Sequence, residues 1–194
     1  MRLSVILFAI LILTAAAFAH QPPDSMWSVW MDYGHIDELM QVIQTSDCGY
    51  LAIGCSNVNT YPIYGTLFLM KTNNSGTVQW TKRYAKDAAG CAISPTLDGG
   101  YLAVGYLNTN NYNAFVLKIN SSGDSLWSRQ YGGANLDLTV TMQATPDGNF
   151  TLGGSTESYG HGTPGASDYW LLRINSSGDS LWSKTYGGSG VEYC

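Results

Sequence analysis

Short apolar runs, set off by turn residues, recur along the chain in a fixed order. MQVIQT (40–45) leads into TSDCGYLAIG (45–54), and the same pattern returns as TLDGGYLAVG (96–105) and TPDGNFTLGG (145–154). Next come TLFLMKTNNSG (66–76), NAFVLKINSSG (113–123) and DYWLLRINSSG (168–178), each apolar on both faces before its turn. Each unit closes on GTVQWTKRY, SLWSRQY or SLWSKTY, where Trp and Tyr alternate onto one face and stand four residues apart. Runs of this length with a period of two are strands. Each unit therefore predicts four strands. The Asp-Gly turn is expected to place both central residues at positive φ. The Asn-Ser-Ser-Gly-Asp turn is expected to be a type I turn with its Gly left-handed.

The repeat measures roughly 50 residues. Trp30, Trp80, Trp127 and Trp182 mark it, and INSSGDSLWS occurs unchanged at 119–128 and 174–183. Strands apolar on both faces belong to sheets covered on both sides. Four-stranded antiparallel sheets, one per repeat and packed face to face, describe the blades of a β-propeller. The expected fold is thus all-β: an incomplete β-propeller of about three four-stranded antiparallel blades plus a lone N-terminal strand. The units are an isolated fourth strand at 27–36, blade 1 at 37–84, blade 2 at 85–131, blade 3 at 132–186 and the start of a truncated blade 4 at 187–194. A closed propeller takes four to eight blades, so the expectation is an N-terminal fragment of a longer protein. An irregular sandwich is the rival, and the regular period speaks against it. Trp80, Trp127 and Trp182 are expected in equivalent, largely buried places between blades, with Trp27 or Trp30 on the lone strand.

MRLSVILFAILILTAAAFAH opens the chain. Arg2, the apolar run to Ala16 and Ala17-Phe18-Ala19 read as a secretory signal peptide over 1–19, cut before His20 and followed by a linker at 20–26. The apolar run is short for a membrane span, so no membrane span is expected after cleavage. Expected localisation is secreted: extracellular, cell surface or periplasm. Net charge is −5 over 194 residues and the pI is about 4.9, which argues against nucleic acid as a partner.

At W-S-K-T-Y-G-G, T-x-D-G-G-Y-L-A-x-G and L-K-I-N-S-S-G-D the chain resembles a broad group of secreted bacterial and archaeal β-propeller repeat proteins, most of them uncharacterised and some ending in a sorting tag. The resemblance covers 27–194 and implies architecture, not activity. More distantly, Gly76-Thr77-Val78-Gln79-Trp80 and Gly123-Asp124-Ser125-Leu126-Trp127 are similar to blades of pyrroloquinoline-quinone dehydrogenases. That family's quinone site and calcium ligands have no counterpart in this sequence.

No catalytic constellation stands out. Asp47, Asp98 and Asp147 recur in one turn and Asp124 and Asp179 in the other, which marks them as structural. Asp37, Glu38, Asp137 and Glu192 also fall at similar repeat positions. His20, His35 and His161 have no metal-motif spacing, and no G-x-S-x-G is present. No catalytic, metal or cofactor residues are assigned, and no cofactor is expected. Cys48 and Cys55 bracket one strand, about 20 Å apart at roughly 3.3 Å per residue, beyond disulfide reach. Cys91 and Cys194 align with Met40 and Val140 at an apparent core position. Buried free thiols are expected, with a Cys55–Cys91 bridge as the alternative.

Two readings of function remain. One is a secreted or cell-surface scaffold for protein or glycan binding. Its ligand face would lie on the variable loops 56–64, 107–112 and 156–168, through Tyr61, Tyr64, Tyr112, Tyr159 and His161. Such amphipathic rings suit a half-wet contact. The other is a propeller enzyme, quinoprotein-like or a hydrolase, whose active site needs further blades.

Overall fold

The computed structural model describes residues 36–58, 65–108, 111–161 and 165–192. The signal segment, the strand expected over 27–35, Trp27, Trp30 and Cys194 lie outside the described residues. Every described element is a strand. They are β1 (Ile36–Gln44), β2 (Tyr50–Val58), β3 (Thr66–Thr72), β4 (Val78–Lys86), β5 (Ala88–Pro95), β6 (Tyr101–Asn108), β7 (Tyr112–Ile119), β8 (Ser125–Tyr131), β9 (Asp137–Ala144), β10 (Phe150–Thr156), β11 (Asp168–Ile174) and β12 (Ser180–Tyr186). They form three four-stranded antiparallel meanders, β1–β4, β5–β8 and β9–β12. Among the described residues no helix is long and apolar enough to cross a membrane.

The sheets stack through two cores. Leu51, Ile53, Leu67 and Leu69 of the first sheet pack on Ile93, Ala103, Phe115 and Leu117 of the second. Leu102, Val104, Ala114 and Val116 on the second sheet's other face pack on Phe150, Leu152, Trp170 and Leu172 of the third. The middle sheet is covered on both faces, which is why β7 is buried continuously from Ala114 to Ile119 and is apolar there except at Lys118. β11 instead alternates between buried and partly accessible residues, because among the described residues only one face of its sheet is covered. The sheets fan apart. β5 lies against β1, β2 and β3, and β9 lies against β5, β6 and β7.

The hairpin turns depart from the Asp-Gly expectation. In the first, Cys48 N–H donates to Thr45 O (2.9 Å) and Thr45 N–H to Gly49 O (2.9 Å). Asn73 and Gly76 repeat that pattern in the second hairpin. Both are type I turns with one left-handed residue, not two. That residue is Gly99, Gly148, Gly76, Gly123 or Gly178, and in the first turn Cys48 at φ 62°. Cys48 is exposed, contrary to the expectation of burial.

A second repeated device is a bulge in each first strand. Met40, Cys91 and Val140 are the extra residues, opposite the steps Gly54–Ile53, Gly105–Val104 and Gly154–Gly153. The expected core position is therefore a bulge position. Met40 and Val140 are exposed there, and only Cys91, in the middle sheet, is buried.

A basic residue of each third strand ties down the preceding turn. Lys71 Nζ, almost fully buried, donates to Asp47 (2.8 Å), Gln79 Oε1 (3.1 Å) and Thr72 O (3.0 Å). Lys118 Nζ donates to Asp98 and Thr96, both at 2.8 Å, and Arg173 reaches Asp147 at 2.6 Å. The Lys118 ammonium and the Thr96 hydroxyl pull the Asp98 carboxyl down to about 2. Asp47 and Asp147 are lowered as well, by Lys71 and Thr45 and by Thr145 and Asn149 respectively. A depressed carboxylate favours the folded chain above its unfolded value of about 3.9 and loses that effect as the pH falls. Thermal midpoints are therefore expected to drop steadily from pH 4 towards pH 2, and Asp98→Asn to flatten part of that drop. An unchanged midpoint across this window would contradict these ties.

Candidate functional site

The identical ten-residue string is explained by a grip between neighbouring sheets. Trp80, Lys82 and Tyr84 project from β4 towards the turn of the next sheet. Tyr84 OH donates to Gly123 O (2.8 Å) and Lys82 Nζ pairs with Asp124 (2.6 Å). The Trp80 ring covers Gly123 so closely that a Cβ there would lie 2.9 Å from it. One repeat later, Tyr131 OH donates to Gly178 O (2.5 Å), Arg129 pairs with Asp179 (2.8 Å), and Trp127 covers Gly178. The turn holds its shape through its own Asn. Asn120 Oδ1 accepts from Asp124 N–H and Asn175 Oδ1 from Asp179 N–H, both at 2.8 Å. Residues 119–128 thus face both ways, offering a turn to the sheet before and a Trp to the sheet after.

The third sheet carries the same gripping set, and among the described residues no turn lies against it. Trp182 and Tyr186 are exposed, and Lys184 sits 6.0 Å from the Trp182 ring centroid. The equivalence expected of the three tryptophans holds for position but not for burial. Trp80 and Trp127 are half-buried, and Trp182 has no neighbouring sheet among the described residues.

Of the loop residues expected at a ligand face, Tyr61 and Tyr64 lie outside the described residues. Tyr112, Tyr159 and His161 sit at the end of the sheets where the loops from second to third strands emerge. Tyr112 opens β7 and meets Tyr106 edge-on at 5.7 Å. Tyr159 OH donates to Gly132 O (2.7 Å), and its ring, half exposed, lies 6.0 Å from Trp170. Tyr159 borders a cleft of about 530 Å³ between the second and third sheets, lined also by Tyr131, Gly132, Trp170 and Ser183. Trp170 forms its buried wall and donates from Nε1 to Ser183 Oγ (2.7 Å). Burial pushes the Tyr131 hydroxyl up to about 12, so it stays a donor at any ordinary pH.

His161 is exposed, but its backbone is fixed. Its N–H donates to Asp168 Oδ2 (2.8 Å), and Nδ1 lies 3.3 Å from the same oxygen. The His161 N–H and ring, with the Glu192 carboxyl, hold Asp168 below the usual carboxylate range. Asp168 is fully buried, as is Asp137. Both pair in register with Thr156, so Asp137, Thr156 and Asp168 form a row across β9, β10 and β11. Asp137 accepts from the Thr156 hydroxyl, Gly133 N–H (2.7 Å) and Ser158 Oγ (2.6 Å). This row is not singled out by sequence patterning. The clue available there is that Asp168 replaces Asn113 and Thr66 of the other repeats. Among the described residues no group of three or more His, Cys, Asp or Glu is placed to hold a metal ion.

Cys55 and Cys91 are buried free thiols on adjacent sheets, and burial pushes them up to about 11 and about 12. Protonated thiols of this kind are inert.

Fold and site together define an all-β protein of three stacked, open meanders, with an aromatic cleft at one end. No protein-family model and no curated protein matches the chain.

Proposed function

We propose that this chain is a secreted or cell-surface β-propeller scaffold that binds a protein or a glycan at the loop end of its sheets. The observation that carries the reading is the grip, made twice in the same form and left open a third time on Trp182, Lys184 and Tyr186. A unit that hands the same contact on to the next is the physical basis of a repeat array. The open face is the seat of a further sheet of the same kind. The ligand face is supported by Tyr159 beside a cleft that Tyr131, Trp170 and Ser183 also line, with His161 on the same loop. Flat rings with hydrogen-bonding edges suit sugar faces and protein side chains alike.

The test is a glycan array together with capture of partner proteins by the immobilised chain. For whatever is retained, Tyr159→Ala and His161→Ala are expected to weaken binding tenfold or more, with far-ultraviolet dichroism unchanged. Retention of nothing, or equal affinity in both variants, would place the function elsewhere.

A further inference from the structure

Asp168 Oδ1 is buried and has no hydrogen-bond partner, and Glu192 Oε2 is in the same condition. The two oxygens converge on Gly187. A Cβ there would lie 2.2 Å from Asp168 Oδ1 and 2.8 Å from Glu192 Oε2. The segment that carries Glu192 is otherwise docked on the third sheet by its backbone. Glu192 N–H donates to Ser167 O (2.7 Å), and Ser167 Oγ donates to Glu192 O (2.9 Å). Asp168 is fully buried and Glu192 partly so, and two carboxylates facing each other with no proton between them repel strongly.

The preceding repeat contains a related arrangement, with an amide in place of one carboxyl and a carboxylate shorter by one methylene in place of the other. There Gly132 is flanked by Asn113 Oδ1 at 2.3 Å and Asp137 Oδ2 at 2.5 Å from its Cβ position. Asn113 occupies the strand position of Asp168, and Asp137 that of Glu192. A carboxamide turned by 180° has the same shape, so Asn113 can present Nδ2 to the Asp137 carboxylate. Asp168 cannot do this. A carboxylic acid facing a carboxylate has the shape and the hydrogen bond of an amide facing a carboxylate, provided one proton is present.

We propose that Asp168 and Glu192 share a single proton, and that this proton latches the 187–192 segment onto the third sheet. At a pH that strips it away, the two charges repel and the latch opens. The groups around the pair are few. His161, from the loop after β10, faces the far oxygen of Asp168. Asp137 lies beyond Thr156 on β9, where hydroxyl and N–H donors already satisfy it. From β12, Thr185 approaches His161, while Lys184 lies over Trp182. No lysine or arginine among the described residues forms an ion pair with either carboxyl.

A proton held more tightly in the folded chain stabilises it fully below the unfolded carboxyl values, about 4, and the effect is lost as the pH rises through the folded pair's upper step. The test is a thermal melt at pH 5 and pH 8 on the whole chain. The wild-type midpoint is expected to fall over this range, by roughly 3–5 °C for each tenfold preference of the folded state for the proton. Asp168→Asn and Glu192→Gln each supply an amide to the remaining carboxylate. Both are expected to melt at the same temperature at pH 5 and pH 8, and higher than wild type at pH 8. His161→Asn is expected to keep the fall, since its backbone N–H remains. The latch is overturned by a wild-type midpoint that does not change, by a fall that survives in both amide variants, or by a fall abolished in His161→Asn. It is also overturned if calcium chloride at pH 8 restores the wild-type midpoint but leaves Asp168→Asn unmoved, because the pair would then hold a metal cation.

Discussion

Replacing Trp127 with alanine is expected to cost about 2–4 kcal/mol, while the same change at Trp182 costs about 1 kcal/mol or less. The two residues occupy the same place in the repeat and in the identical string, so local sequence predicts equal effects. The difference is what stands beyond them. Trp127 fills the widening gap between the second and third sheets, packs with Tyr131 against the second core, and covers the Gly178 turn. Its loss leaves a cavity beside Tyr131 and weakens the hold of Arg129, whose guanidinium lies 5.8 Å from the ring centroid. Trp182 faces no neighbouring sheet among the described residues and is 37% exposed. Denaturant melts of both variants provide the comparison. Equal small losses would mean that the grip does not hold the sheets together. A large loss at Trp182 would mean that another surface covers it.

Gly105→Ala is expected to be a severely damaging single-methyl change, at roughly 3 kcal/mol or more. A Cβ on Gly105 would lie 1.9 Å from Ala89 O, a backbone atom that cannot swing aside. The first-strand bulge at Cys91 drives that carbonyl against the second strand, and Thr139 Oγ1 of the next sheet also donates to Gly105 O (2.6 Å). Gly54 and Gly154 meet Glu38 O and Leu138 O in the same way, each at 1.8 Å. Gly99→Ala makes the contrast. That glycine lies in a turn at φ 81° with open space around it, so only backbone strain opposes the change, about 1 kcal/mol. Chemical denaturation of the two variants checks the order. A Gly105→Ala protein as stable as Gly99→Ala would mean that the bulge relaxes freely.

The sequence by itself determined the strands and their order. Alternation in SLWSRQY, the doubly apolar AFVLK and the recurring Asn-Ser-Ser-Gly turn are local signals. Hairpins between consecutive strands are local pairings, so three antiparallel meanders follow from the pattern. The positions of Asp47, Asp98 and Asp147 in those turns were equally legible. Tertiary structure alone decided which faces meet. The bulges at Met40, Cys91 and Val140 came from register between strands, and so did the need for Gly at 105. Burial of Trp127 but not Trp182 depended on a neighbouring sheet, which ten identical residues cannot encode. Asp168 and Glu192 lie 24 positions apart, and only the β11–β12 hairpin between them and the turn after Tyr186 set their carboxyls face to face. Local propensity fixes a strand through its own side chains, whereas a buried charge acquires its character from groups that other strands bring to it.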